Sequence, residues 1–351
     1  MMNNLLITGG LGFIGSHTSL LLLERGYELF IIDSMVNTQE YVLDSIVKFQ
    51  TYPKENLNNL HFFKGDLRNK EFLNEVFLEA TKLNKSINGV IHFAGLKSVE
   101  KSNLNPIEYW DNNVSGTINL LKSMEENNCF KIVFSSSATI YENTGNLPKD
   151  EKTEIKPINP YGNTKACAEF FLDDVYKSDP KKWKIANLRY FNPIGAHPSG
   201  LLGENPLDLP TNIFPIILKV ASREIKEISI FGEHWDTPDG TCIRDYIHIM
   251  DLAEAHVKSL VFLDENTPQN LKLNIGTGRG CSVLELIDTF ERINKIKLPF
   301  KFCPPRKGDL PIVVADNSKA IAKIKWQPSK TIEDMCRDGW RWQKNLDKIS
   351  C

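Results

Sequence analysis

The sequence predicts an α/β protein with a doubly wound parallel sheet, followed by a smaller mixed α/β domain. Three observations carry this prediction. Short β-rich runs alternate with longer helical patterns through the first half. Several of those runs are almost wholly apolar, as strands buried on both faces are. The first run passes through a glycine cluster straight into a helix. The chain has 351 residues, enough for about two domains.

The elements follow in order. Leu5–Thr8, Leu29–Asp33, Leu60–Lys64, Gly89–Phe93, Lys131–Ser135 and Lys184–Tyr190 read as strands. Phe13–Arg25, Lys70–Thr81, Ile107–Asn127 and Tyr161–Tyr176 read as helices between them. Gly26 stands where a left-handed residue closes the first helix, and Pro106 where a helix begins. Strand–helix–strand repetition calls for parallel neighbours with helices on both faces. The second half changes character. Asn192–Pro215 holds three glycines and five prolines, which predicts a long irregular connection with a functional role. Ser282-Val-Leu-Glu285 is a capping box opening a helix to about Asn294. A second full sheet is not expected. The charged stretch Lys149–Lys156 reads as a solvated surface loop.

Composition narrows the function. Basic residues number 42 and acidic residues 44, a formal net charge of −2. No strong field draws the chain to nucleic acid or an anionic membrane. The longest aliphatic run is Leu20–Leu23, far short of the roughly 20 residues that span a bilayer. Met1-Met2-Asn3-Asn4 has no basic n-region, so a cytoplasmic protein is expected. Cys129, Cys167, Cys242, Cys281, Cys303, Cys336 and Cys351 form no CxxC pair and read as reduced, mostly buried thiols. His17, His92, His197, His234 and His248 have no metal-ligand spacing, His256 reads as helix surface or core, and no metal is expected.

Thr8-Gly9-Gly10-Leu11-Gly12-Phe13-Ile14-Gly15 joins the first strand to the first helix. Glycine lets the backbone turn sharply and approach a pyrophosphate. The helix start supplies free N–H groups and a positive dipole end. The next strand ends in Asp33, 24 residues after Gly9, where a carboxylate can hold the adenosine ribose hydroxyls. This is a Rossmann-type dinucleotide site. A carboxylate there repels a 2′-phosphate and no arginine follows closely, so NAD is expected rather than NADP. Asp66, with Leu67, ends the third strand, where it can contact adenine. Phe93-Ala94-Gly95-Leu96-Lys97 ends the fourth and should line the cofactor.

Tyr161-Gly-Asn-Thr-Lys165 sets a phenol and an ammonium one helical turn apart on one face. A free phenol, with a pKa near 10, is a poor base at neutral pH. Bringing it to neutrality takes roughly 4 kcal/mol of differential stabilisation, at about 1.4 per unit. The ammonium and a cationic nicotinamide can supply that in a partly dry cleft. Ser135-Ser136-Ser137 closes the fifth strand and offers hydroxyls to orient a reacting oxygen.

With these motifs, over nearly its full length, the chain resembles the extended short-chain dehydrogenase/reductase family. Further stretches narrow the resemblance to its nucleotide-sugar 4-epimerases. They are His92–Lys97, Asp111–Val114, Phe134–Thr139, Arg189–Pro193, Gly195–Gly200, Asp239–Thr241, Arg244–His248 and Gly308–Pro311. The resemblance implies interconversion of UDP-glucose and UDP-galactose with NAD retained throughout. Tyr161 takes the 4-hydroxyl proton as hydride leaves C4 for NAD, the 4-keto sugar turns over, and hydride returns to its other face. Ser137 orients the sugar oxygen, and Lys165 tunes Tyr161 and binds the nicotinamide ribose.

The resemblance also divides the chain into an NAD-binding domain, 1–190, and a nucleotide-sugar domain, 191–351, with segments returning to the first. It adds Phe13 and Ile14 in the phosphate loop, Asn37 and Thr38 after Asp33, and Lys97, Asn112 and Phe191 to the NAD contacts. Lys97, Ser137 and Tyr161 also meet the sugar. Asn192, Asn212 and Ile213 reach the nucleotide sugar, and Ser229 and Phe231 flank uracil. Arg244 and Arg306 clamp the diphosphate, which suits the guanidinium geometry, and Asp309 meets the uridine ribose. It implies a homodimer through the 107–127 and 161–176 helices.

Val313, four residues after Asp309, falls where the family borders the sugar pocket. A tyrosine there restricts the pocket to plain hexoses, so the smaller Val313 implies that UDP-N-acetylhexosamines also fit. Tyr141-Glu142 departs from the family's usual Tyr-Gly beside the active site. Gly276-Thr-Gly278-Arg-Gly280 resembles a second nucleotide loop, but no half-sheet surrounds it and a tight turn is expected. The rival readings are a 4,6-dehydratase, a uronate epimerase or decarboxylase, and a silent NAD sensor. A dehydratase needs an acid and a base after the active-site hydroxyl, where this chain has Ala138-Thr139. A sensor has no use for Tyr161.

Overall fold

A computed structural model describes residues 4–48, 59–142, 148–207, 210–306 and 308–349. The first strands and helices run β1 (Asn4–Thr8), α1 (Phe13–Glu24), β2 (Glu28–Asp33), α2 (Tyr41–Lys48), β3 (Leu60–Lys64), α3 (Lys70–Lys82) and β4 (Gly89–His92). Then come α4 (Val99–Leu104), α5 (Pro106–Trp110), α6 (Gly116–Glu126), β5 (Lys131–Ser137), α7 (Pro160–Ser178) and β6 (Lys184–Tyr190). The remainder is β7 (Asn192–Ile194), α8 (Ile213–Ala221), β8 (Ile228–Phe231), β9 (Ile243–Arg244), β10 (Tyr246–His248), α9 (Ile249–Glu265) and β11 (Asn270–Ile275). It ends with β12 (Cys281–Ser282), α10 (Val283–Asn294), β13 (Phe300–Cys303), β14 (Ile312–Val313), α11 (Ser318–Ile324) and α12 (Ile332–Ile349).

One seven-stranded sheet has the order β11-β6-β5-β4-β1-β2-β3. β1 pairs in parallel with both β2 and β4, so the strand order reverses there. Ligands bind beyond the strand ends at such a reversal. β1, β2, β4 and β5 are buried along their whole length, which is why they lack polar alternation. One core joins Leu6, Phe30, Val90 and Ile132 of the strands to Leu73 and Val76 of α3, Leu120 of α6 and Leu172 of α7. Each fully buried aliphatic side chain is worth about 1.5–3 kcal/mol.

The chain forms two compact units. The first is Met1–Glu142, Glu154–Arg189 and Ala253–Leu273; the second is Asn143–Thr153, Tyr190–Leu252 and Asn274–Cys351. The second unit carries sheets of only two or three strands, around a core of Phe214, Ile217, Ile230, Tyr246, Leu286, Phe290 and Met335.

The six early strands and three of the helices lie where periodicity puts them, within two residues at each end. Gly26 has a φ of +79° and its N–H bonds Leu23 O, closing α1. Pro106 opens α5. Ser282 and Glu285 exchange both capping-box bonds. The fourth helix, expected as one run over 107–127, is α5, a π-helical turn at Asp111–Ser115 and α6. Expected strand residue Phe93 lies past β4, and β5 runs on to Ser137. Periodicity missed α2 and α4, which are short, and the reading of the second half also left α8, α9, α11 and α12 unplaced. The reading of 149–156 as solvated needs correction at Lys149, which is buried. Its N–H bonds Val314 O and its carbonyl takes Asp316 N–H and Asn274 Nδ2, so the segment starts as a bridge to the β14 segment. The connection 192–215 is irregular between β7 and α8; Asp208 and Leu209 in it lie outside the described residues, as do Met1–Asn3 and Cys351.

Candidate active site

The glycine loop is shaped by two close approaches. Gly9 has a φ of +67°, and a Cβ there would sit 2.6 Å from Ala94 N. A Cβ on Gly15 would fall inside Gly9 O and 2.8 Å from Gly10 Cα. Gly12 differs: only Gly9 O, at 3.3 Å, stands near a Cβ placed there, so the space above it is open. Gly12 caps α1 without a side-chain bond, and the first turn, with Phe13 and Ile14 half-buried, has no acidic residue. Its N–H groups face a potential anion with no carboxylate in competition. This cradle fits a dinucleotide pyrophosphate.

Asp33 ends β2 beside the loop. One carboxylate oxygen accepts Leu11 N–H at 3.0 Å, and the other accepts Met35 N–H at 2.9 Å and the Thr38 hydroxyl at 3.5 Å. Burial raises its pKa above the ordinary carboxylate value against those bonds. Next to it is a cavity of about 280 Å³ lined by Ser34, Val36, Gly65, Asp66, Leu96 and Asn112 among others. It lies past the ends of β2, β3 and β4, where an adenosine belongs. Asp66 is held there by Arg68, whose guanidinium also reaches Asp111, and the arginine pulls the Asp66 pKa down. Leu67 turns its side chain into the core, so only its backbone can meet a cofactor. Asn37 is half-buried, and Gly95 and Lys97 are exposed.

The hydroxyl, phenol and ammonium come from β5 and α7. Asn159 caps α7 through Gly162 N–H, and Pro160 opens it. A Cβ on Gly162 would lie 2.7 Å from Thr139 O, so glycine permits the helix start to press on the turn after Ser137. Tyr161 and Lys165 are buried on one face. Lys165 Nζ donates to Ser135 O at 2.8 Å and lies 4.9 Å from the centre of the Phe134 ring. Burial lowers its pKa to about 8, opposed by the Glu169 carboxylate. Ser137 Oγ accepts both the N–H (3.2 Å) and the hydroxyl (2.9 Å) of Thr139. Its own proton is thereby left to donate outward.

The π-helical turn secures this arrangement. Asn113 within it is buried; its Oδ1 accepts Leu96 N–H at 2.8 Å, and its Nδ2 donates to Leu96 O and Thr164 Oγ1, both at 3.0 Å. The Thr164 hydroxyl donates to Tyr161 O. One side chain thus ties the segment after β4 to the first turn of α7, and the widened register gives it the reach. His92 extends the tie. The Thr117 hydroxyl is spent on Asn113 O at 2.6 Å, so it must accept from His92 Nε2; Nδ1 then accepts from Thr8 Oγ1 at 2.7 Å. Burial holds His92 down to about 3, hence neutral. Neither role is legible in the sequence: His92 and Asn113 fall within stretches that carry the resemblance, His92–Lys97 and Asp111–Val114, but no local spacing links them. His256 is a core residue, its ring tilted against Phe93 with 4.7 Å between centroids.

The second unit assembles its own polar cluster. Arg244 Nη1 donates to Leu310 O at 2.8 Å, and Nη2 lies 3.6 Å from Asp309. Val313 pairs in register with Arg244, so the expected size-selecting side chain adjoins an expected diphosphate ligand. The Arg306 guanidinium lies 3.9 Å from the centre of the Phe231 ring. Ser229 and Phe231 are half-buried on β8. Asn212 precedes α8 without spending its side chain on a cap, with Ile213 following. Asn192 and Phe191 are held by backbone bonds to Asp245 O and Ile275 O. The glycine-rich stretch 276–280 is a turn around the buried Asp245 carboxylate, which takes Thr277 N–H, Gly278 N–H, the Thr277 hydroxyl and Ala315 N–H. The Thr277, Gly278 and Arg279 amides are already occupied.

Known proteins match this chain throughout. The profile of the GDP-mannose 4,6 dehydratase family matches residues 6–339. The bifunctional UDP-glucose 4-epimerase and UDP-xylose 4-epimerase 1 of Pisum sativum is 44% identical over 97% of this chain and 95% of its own. The structure of a UDP-glucose 4-epimerase from Bifidobacterium longum in complex with NAD+ and UDP is 41% identical, with a TM-score of 0.91 over 99% of this chain and all of that one. One from Stenotrophomonas maltophila, with bound NAD and formylated UDP-arabinopyranose, is 39% identical, with a TM-score of 0.92 over 99% of both chains. The chain belongs to the GDP-mannose 4,6 dehydratase family and, within it, to the UDP-glucose 4-epimerases.

Proposed function

We propose that this protein is an NAD-dependent isomerase that interconverts UDP-glucose and UDP-galactose. The observation that carries the reading is the buried Tyr161–Lys165 face of α7, set against the Ser137 turn. NAD, when bound, supplies reversible hydride acceptance at the sugar C4. Gly9, Gly12, Phe13, Ile14 and Gly15 hold its pyrophosphate, Asp33, Asn37 and Thr38 its adenosine ribose, and Asp66 and Leu67 the adenine side. Phe93–Gly95, Lys97, Asn112 and Phe191 line the rest. Tyr161 as phenolate removes the 4-hydroxyl proton and later returns it. Ser137 donates to the sugar oxygen, and Lys165 stabilises the phenolate. Arg244 and Arg306 take the diphosphate, Asp309 the uridine ribose, Ser229 and Phe231 the uracil, and Asn192, Asn212 and Ile213 the sugar side. The first unit thus carries the chemistry and the second recognises the nucleotide.

A dehydration is disfavoured because Thr139, after Ser137, spends both its N–H and its hydroxyl on the Ser137 oxygen. We assign the enzyme to the reducing cytoplasm: the six described cysteines are free, and among the described residues no helix is long and apolar enough to cross a membrane. Proton NMR of the purified protein with UDP-galactose, without added NAD, tests the reaction. Appearance of UDP-glucose supports it; silence, persisting after NAD is added, overturns it.

Val313 extends the substrate range to UDP-N-acetylhexosamines, since valine leaves volume that a tyrosine ring would take. Val313→Tyr is expected to lower UDP-N-acetylgalactosamine turnover at least tenfold, or about 1.4 kcal/mol, with UDP-galactose turnover within threefold. Unaltered N-acetyl turnover would remove Val313 from this role.

A homodimer completes the reading. Leu104 and Ile107 are 74% and 84% exposed, and Trp110 and Phe170 lie exposed on α5 and α7, which pack together. An apolar face of this kind fits a second copy of the same helices. Sedimentation velocity should give a dimer for the native chain and a monomer for Ile107→Glu.

A further inference from the structure

Four polar side chains form a buried cluster that the chemistry above does not use. Glu169 lies on α7 one turn after Lys165. Its fully buried carboxylate accepts the Ser136 hydroxyl at 2.5 Å and Arg189 Nε and Nη2 at 2.9 and 2.6 Å. Arg189, at the end of β6, is equally buried; its Nη1 donates to the Tyr141 hydroxyl at 3.1 Å. Its guanidinium lies 5.2 Å from the centre of the Tyr141 ring.

The connectivity gives this cluster its significance. Ser136 immediately precedes Ser137, and Tyr141 ends the short turn that Ser137 begins. The ion pair therefore grips the Ser137 segment at both ends, while Glu169 itself belongs to the helix of Tyr161 and Lys165. Packing does not require charge here, because a buried pair is often replaceable by apolar residues without loss of stability.

We propose that Glu169, braced by Arg189, is a positioning residue for the epimerisation: it locks the Ser137 segment against the catalytic helix and sets a fixed negative charge one turn from the Lys165 ammonium. The groups facing Lys165 support the second part. They are Tyr161 and Glu169 from α7, the neutral His92 from β4, and the Ser135 carbonyl and Phe134 ring from β5, with Arg189 of β6 behind Glu169. Glu169 is the only carboxylate among them, and it opposes the effect of burial on Lys165. Without it Lys165 loses its proton at lower pH, the phenolate loses its counter-charge, and Tyr161 ionises at higher pH.

The inference rests on Tyr161 being the base, and its first readout needs no sugar. Glu169→Gln/Arg189→Met removes the charges without orphaning either. The NAD-loaded variant is titrated by tyrosinate absorbance near 295 nm, with Tyr161→Phe as the baseline that isolates Tyr161. The expected result is a folded, NAD-retaining protein whose Tyr161 midpoint moves up by about one pH unit. UDP-galactose turnover at pH 7 then falls about tenfold, KM stays within twofold, and rate recovers as the pH is raised. A folded variant with unchanged midpoint and turnover would reduce the pair to packing and overturn the proposal. If the double variant does not fold, Ser136→Ala decides. It cuts one tether, and kcat should drop severalfold at constant KM in a protein that remains folded; an unchanged kcat overturns the proposal. A midpoint shifted in the variant, beside a wild type unable to convert UDP-galactose, would instead sink the assigned reaction and leave the positioning of Tyr161 standing.

Discussion

Tyr161→Phe should leave a folded, NAD-retaining protein whose interconversion of UDP-glucose and UDP-galactose is about 10³–10⁴-fold slower. The hydroxyl is the one group this substitution removes, and the ring still packs in its buried position at the start of α7. Without it the 4-hydroxyl proton has no acceptor matched to neutral pH. Lys165 is a poor substitute as the base, because its Nζ is tied to Ser135 O. The measurement is steady-state kcat by NMR, with bound NAD read after denaturation. A loss smaller than tenfold with full NAD content would mean that another group takes the proton.

Gly15→Ala should damage the cofactor site before any chemistry is reached. The new methyl would overlap the Gly9 carbonyl and crowd Gly10 Cα. Both belong to backbone that cannot swing aside as a side chain can. Gly9 N–H is fixed to Ile32 O, and the loop is further held by Asp33 at Leu11 N–H. The strain should cost about 3 kcal/mol or more, at the upper end for overpacking. Purified variant should melt well below the wild type and carry little NAD. Gly12→Ala offers the contrast. Its methyl meets only one protein atom, at 3.3 Å. Stability should change little, whereas NAD retention should fall because the methyl takes the space of the pyrophosphate. Full NAD retention by both variants would place the pyrophosphate elsewhere.

The relation of sequence to site differs between the two units. In the first, Gly9, Gly12, Gly15, Asp33, Tyr161 and Lys165 are legible as candidates directly, because each is marked by backbone geometry, by a strand end or by spacing along one helix. The Tyr161–Lys165 pair needs only a 3.6-residue period to share a face. In the second, Arg244 lies on β9, Val313 on β14 and Asp309 in the segment before β14, 65 residues after Arg244; the β9–β14 register brings them together. Their assignment drew on resemblance, since no local period links them.

The sequence alone determined the α/β class, the parallel direction of the early strands, the glycine loop between the first strand and helix, and the phenol–ammonium pair on one helix face. Periodicity and glycine geometry are local properties, fixed by neighbours in the chain. Tertiary structure decided the break of the 107–127 helix by its π-helical turn, the burial of Lys149 and the occupied donors of the 276–280 loop. It also brought Ser136, Tyr141, Glu169 and Arg189 into one cluster. Each of these depends on which distant polar atom reaches a buried donor or acceptor, and an unsatisfied group costs about 1–3 kcal/mol. That cost is large enough to widen a helical turn or bury a lysine, and it exists only once the distant segments have met.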